Sequence, residues 1–141
     1  MEDSLASHFE AAERELAAAD KALNDAADFV RAAQEPPPSS VGIQRAADDP
    51  HVLLRFGRFR ARLHAAQGLL ARAKRLASGE AALVSLIEAR AFTSDLVADL
   101  ASGFRLGGDY WSPGYRSSSQ WGYHHVGNYH LTGAAPPVAR T

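Results

Sequence analysis

The densest collection of side chains able to do chemistry lies late in the chain, in Tyr123-His124-His125-Val126-Gly127-Asn128-Tyr129-His130. A histidine set among aromatic rings can be tuned to titrate near neutral pH, which suits a general acid or base; His124 and His125 are the candidates. Histidines also bind metals, but adjacent histidines with no carboxylate nearby make a poor preformed site, so no metal is expected. A third use is structural, with the imidazoles hydrogen-bonding the tail onto the rest of the protein, and the sequence does not separate this from the catalytic use. A second resource is cationic. Residues 50–79 contain Arg55, Arg58, Arg60, Arg62, Arg72, Lys74 and Arg75 and no acid, whereas residues 1–35 carry nine acidic and three basic side chains. The simpler reading is an acidic helix lying against a basic one, each surface pair contributing at most about 1 kcal/mol. The sharper reading is that part of the basic face meets a phosphate-bearing ligand.

Isolated candidates weigh less. His51 and His64 read as ordinary helix residues, His8 as a residue near a frayed terminus, and Asp95 and Asp99, one turn apart, as either cavity lining or an exposed helix face. There is no Gly-rich phosphate loop, nucleophile elbow or His-Glu-x-x-His helix.

The elements that must position these residues are helices. Ser7-His8-Phe9-Glu10 is a capping-box pattern, and from it Phe9, Leu16, Leu23 and Val30 recur every seven residues, with Ala12, Ala19 and Ala26 three residues after the first three. This predicts a helix over about 7–33 that stops before Pro36-Pro37-Pro38. Asp49-Pro50 supplies an N-cap and a first-turn proline for a second helix over about 50–78, with Phe56, Leu63, Leu70 and Ala77 as its seam, joined by Leu53, Phe59, Ala66 and Ala73. A third helix over about 80–102 carries apolar residues round most of its circumference and should be the most buried. Residues 104–141 sustain no period but hold seven aromatic residues, which predicts an ordered, irregular tail that packs by its rings, with room for one short helix or turn.

Length and composition fit one domain, read as a bundle over 1–103 and a packed tail over 104–141. The fold class is all-α: three long antiparallel helices whose alanine and leucine seams invite a fourth helix or a second copy, hence an expected homodimer. A formal net charge of −1 gives no general case for nucleic acid or an anionic membrane. The absence of cysteine removes disulfides, thiolate zinc sites and cysteine nucleophiles. No apolar run approaches the roughly 20 residues of a membrane span and no leader pattern opens the chain, so a cytoplasmic protein is expected.

Several stretches resemble the C-terminal helical domain of the acyl-CoA dehydrogenase superfamily, closest to its flavin-dependent monooxygenase branch, the dibenzothiophene monooxygenase-like proteins. They are Ala26-Ala27-Asp28-Phe29-Val30-Arg31, Val41-Gly42-Ile43-Gln44-Arg45-Ala46-Ala47-Asp48-Asp49-Pro50, Phe56-Gly57-Arg58-Phe59-Arg60-Ala61-Arg62-Leu63-His64-Ala65-Ala66, Leu100-Ala101-Ser102-Gly103, and the closing Tyr123–Leu131 segment. The resemblance is collinear from about residue 20 to 137. It implies an acyl-CoA-dehydrogenase-type bundle that forms an oligomer core and helps seat FAD or FMN and a hydrophobic or acyl substrate. Arg55, Arg58 and Asn128 are the implied cofactor contacts. The N-terminal helices and middle β-domain that supply most other flavin contacts in that family are absent from these 141 residues. The interval 104–122 is also shorter than in relatives and lacks their histidine, so the acid/base chemistry of that region does not carry over.

Three functions remain open on the sequence. The first is one subunit of a split flavin-dependent oxidoreductase, sharing its site with a flavoprotein partner. The second is a cofactor-independent cyclase or isomerase of specialised metabolism. In that case Trp111, Tyr115, Trp121, Tyr123, Tyr129 and His130 would wall a substrate pocket, and His124 or His125 would move a proton. The third is a non-catalytic dimeric interaction module.

Overall fold

The structure, a computed structural model, describes residues 2–33, 46–106, 109–111 and 120–136, with side chains over 5–33, 47–103, 111 and 122–136. The proline-rich linker over 34–45 and Tyr115 lie outside the described residues, and so does the side chain of Trp121. The described chain is all-α apart from one short hairpin. Its elements are α1 (Glu2–Ala32), a 3-10 turn (Ala46–Asp48), α2 (Pro50–Leu76), α3 (Gly79–Ala101), β1 (Phe104–Leu106), β2 (Asp109–Trp111) and α4 (Gln120–Thr132). β1 and β2 pair antiparallel, with Arg105 opposite Tyr110.

α1 begins five residues before the capping box that suggested its start. Nothing over Glu2–Ala6 breaks a helix, and Leu5, one turn ahead of Phe9, extends the apolar stripe and packs on the core. α2 starts where the sequence puts it. The Asp49 carboxylate, itself buried, accepts the His51 N–H at 2.8 Å, and Pro50 follows at the first helical position. α2 stops at Leu76 because Ala77 adopts a left-handed φ of 63°, which reverses the chain into α3.

The sevenfold spacing forms the core. Ala12, Leu16, Ala19 and Leu23 of α1 meet Phe59, Leu63, Ala66, Leu70 and Ala73 of α2 and Leu86, Ala89, Leu96, Val97 and Leu100 of α3. α3 is the most buried helix, as its all-round apolar character requires. Leu53, placed on the α2 seam by its spacing, is instead 57% exposed, because the seam turns away from the core in the first turn of that helix. Ion pairs fix the order of the helices. Asp20 to Arg60 (3.1 Å) and Glu13 to Lys74 run α1 against α2, so the acidic-on-basic reading is borne out. Ser85 Oγ donating to the Leu69 carbonyl at 2.8 Å, with Arg62 pairing Asp99, runs α2 antiparallel to α3.

The tail is more regular than its composition suggests. α4 forms despite lacking a long apolar period because, among the described residues, it packs chiefly on α3. The crossing point is Gly122, where a Cβ would sit 2.9 Å from the Cβ of Ala91. Only glycine lets the two backbones approach so closely. Beside it the Tyr123 ring meets Phe92 edge-on at 6.2 Å. A fourth helix from the same chain thus packs on α3.

Candidate functional site

One end of the bundle, where α2 begins and α3 ends, holds an open cavity of about 370 Å³. It is lined by His51, Leu54, Arg55, Arg58, Phe59, Arg62, Asp99 and Ser102. The antiparallel pairing creates it: counting outward from the Ala77-Ser78 connection brings the end of α3 level with the first two turns of α2. Arg55, Arg58 and Arg62 fall at i, i+3 and i+7, successive steps of three and four that stack side chains on one helix face.

The three arginines are held differently. Arg55 donates from Nη2 to the Gly103 carbonyl at 3.1 Å, and its guanidinium lies 5.5 Å from the centre of the Phe59 ring. That carbonyl is available because Gly103 takes a φ of 68°, turning the chain out of α3. Arg62 is paired with Asp99, and the hydrogen bond to that carboxylate raises its pKa. Arg58 is exposed, and among the described residues no acid pairs with it. Among the described residues that line the cavity, three arginines face one aspartate. Such a set of planar, multiply donating cations suits a doubly charged phosphate or a carboxylate.

α4 reaches the edge of this region through Tyr123. Burial first, and then the Asp95 charge, push its phenol above the ordinary tyrosine range, with Arg62 opposing. Asp95 and Asp99 both act on Arg62 and Tyr123, but of the two only Asp99 lines the cavity and accepts the Arg62 hydrogen bond.

The structure brings together only part of the set singled out by sequence. Arg55 and Arg58 share the cavity. Asn128 is on α4, where its carbonyl and its side-chain oxygen accept from the Thr132 hydroxyl, and it lines neither of the two cavities described here. His124 and His125 sit side by side on α4, ring centroids 5.8 Å apart, and also line neither cavity. Tyr129 stacks edge-on against His130, whose Nε2 lies 3.5 Å from Glu88 of α3. Trp111 packs against the main core from β2. Among the described residues no cluster of three or more potential metal ligands occurs, and no helix is long and apolar enough to cross a membrane. Sequence reasoning passed over His51, Leu54, Phe59 and Ser102 as cavity walls. A signal for them existed in the short α2–α3 connection, which fixes the pairing of the two helices.

A second, smaller cavity of about 180 Å³ lies on the other side of the α2 start. It is apolar, with Val30, Val52, Leu53 and Phe56 among its walls. Leu53 and Leu54, both more than half exposed, form a ridge between the two.

Three solved structures of TdsC from Paenibacillus sp. A11-2 share this fold: an FMN-bound form, an indole-bound form, and a complex with both FMN and indole. Their TM-scores are 0.72, 0.73 and 0.72, each at 21% sequence identity and each covering 98% of this chain. No family model matches the sequence, and no curated protein matches it by sequence. The chain spans 42–43% of the length of TdsC. What the likeness establishes is the fold, a helical bundle of the kind present in TdsC.

Proposed function

We propose that this chain is the helical subunit of an acyl-CoA-dehydrogenase-like, flavin-dependent monooxygenase whose site is completed by a partner. In this reading the Arg55–Arg58–Arg62 cavity takes the phosphate end of FMN or FAD. Arg55 and Phe59 form its floor, and Arg58 closes on the phosphate from the rim. Arg62 is kept in place by Asp99. The flavin, when bound, supplies the redox chemistry; the chain's own residues bind and orient it. A flavoprotein subunit carrying the rest of the fold would supply the remaining contacts, self-association of the bundle would accompany it, and the substrate would be hydrophobic or acyl.

One observation carries the reading: Arg55 and Arg58, the flavin contacts that the family resemblance implies, lie in one cavity with Arg62, and among the described residues that line it three arginines face one aspartate. The same fold as TdsC, which is solved with FMN, adds to it. Because the chain spans less than half of TdsC, the shared site and the partner are part of the proposal.

The test is a fluorescence titration of the purified chain with FMN, FAD and riboflavin. FMN should saturate at affinities on the order of micromolar to tens of micromolar, and riboflavin, lacking the phosphate, should bind at least about tenfold more weakly. Arg58→Ala should remove most of that difference. Equal binding of FMN and riboflavin would sink the phosphate assignment, and no binding of any flavin would remove the reading of this chain as a flavoprotein on its own.

A further inference from the structure

The flavin reading leaves one buried titratable group unused. His8 lies on the early turns of α1 and is 7% exposed, facing α3. Its burial corrects the expectation of a histidine near a frayed end, because α1 starts earlier and the ring turns inward. Arg90 Nη1 lies 2.7 Å from His8 Nδ1. A guanidinium has only protons to give, so Nδ1 must be the bare nitrogen and Nε2 carries the single ring proton. That Nε2 is buried and has no hydrogen-bond partner among the described residues. Arg90 cannot retreat, because its Nε and Nη2 donate to the two carboxylate oxygens of Glu15 at 3.0 and 2.7 Å. The charged groups acting on the ring are Arg90 from α3 and Glu15 from its own helix; α2 and α4 contribute none among the described residues.

A buried donor left unsatisfied destabilises the fold, so the arrangement asks for an explanation. We propose that His8 is an acid-sensitive latch between α1 and α3. The neutral ring accepts from Arg90 and wedges the helices together. Once protonated, its Nδ1–H points at the Arg90 N–H groups, two donors and two cations meet, and the early turns of α1 part from α3. Parting would uncover Leu5 and Phe9, which pack against the core from this stretch, so acid would turn a closed seam into an apolar surface. The latch stands independently of the flavin reading, since no residue of it lines the arginine cavity.

The sign follows from the same geometry. Burial first, and the Arg90 charge second, hold His8 below the ordinary histidine range, with Glu15 partly opposing. The unfolded chain therefore binds this proton more readily than the folded one. The stabilisation is complete above the unfolded value of about 6.5 and is lost as pH falls toward the lower folded value.

His8→Gln keeps an oxygen able to accept from Arg90 but does not titrate. Between about pH 7.5 and about pH 5.5, which bracket the ordinary histidine value, wild type should lose several degrees more in melting temperature than this variant. Amide exchange over residues 5–16, corrected for its intrinsic pH dependence, should speed up several-fold in wild type and not in the variant. Equal pH slopes, or exchange that rises evenly along the chain, would overturn the latch. If His8→Gln does not fold, the proton NMR titration of His8 in wild type decides: a midpoint below about 6.5 is expected, and one at or above it overturns the proposal.

Discussion

Arginine serves opposite ends in two regions of this bundle. On the α1–α3 seam, Arg90 spends its donors on Glu15 and His8. In the cavity between α2 and α3, Arg62 is paired with Asp99, Arg55 meets a carbonyl and a ring, and no acid among the described residues pairs with Arg58. The seam is a closed account of charges that fixes helix against helix. In the cavity, the described lining residues set three arginines against one aspartate. Residue type says little here; the difference lies in which carboxylates the packing brings within reach.

The comparison can be broken or sharpened by substitution. The largest effect belongs to the core that both regions share. Leu63 is fully buried, and Leu63→Ala should destabilise by about 2–5 kcal/mol, seen as a lower urea midpoint. Next comes the α4 crossing. Gly122→Val places a branched side chain where even a Cβ meets Ala91 at 2.9 Å, so α4 should lift, costing about 1–3 kcal/mol and making it open to limited proteolysis. In the milder variant Gly122→Ala, adding Ala91→Gly should restore protection; if it does not, the close approach is not what fixes α4.

Two arginine variants then test the contrast directly. Arg90→Ala should cost about 1–3 kcal/mol, because it strands a half-buried Glu15 and removes the one partner of His8 Nδ1. Arg58→Ala should leave stability within about 0.5 kcal/mol while weakening FMN about tenfold. If Arg58→Ala instead lowers the melting temperature as much as Arg90→Ala, the cavity is structural and the contrast fails. The smallest effect is at the α2–α3 reversal. Ala77 carries a left-handed φ of 63°, so Ala77→Gly should stabilise by about 0.5–1 kcal/mol in thermal or urea unfolding.

Much of the bundle was legible because its signals are local. Asp49-Pro50 marks the start of α2 through a contact two residues long. The sevenfold repeat of Leu16, Leu23 and Val30 marks the inner face of α1, and all three are buried. Leu53 fits the same repeat yet is exposed, because a period predicts a face but not where that face runs past its neighbour. α4 was the harder element. Its fit rests on one glycine facing one alanine, which leaves no period to read. Of the cavity, the sequence offered Arg55 and Arg58, and it held Asp99 open between lining a cavity and facing solvent.

The sequence by itself determined the helical segments, the faces they bury and the match of an acidic helix to a basic one. Each of these follows from residues within a turn or a few turns of one another. Tertiary structure alone decided which charges would be consumed. Arg62 meets an aspartate 37 residues away, and Arg90 meets a histidine 82 residues away. Pairings at that separation depend on how whole helices cross, on the reversal at Ala77 and on the close contact at Gly122. Those crossings are settled by packing, and so packing left Arg58 without an acid among the described residues and His8 with a buried proton.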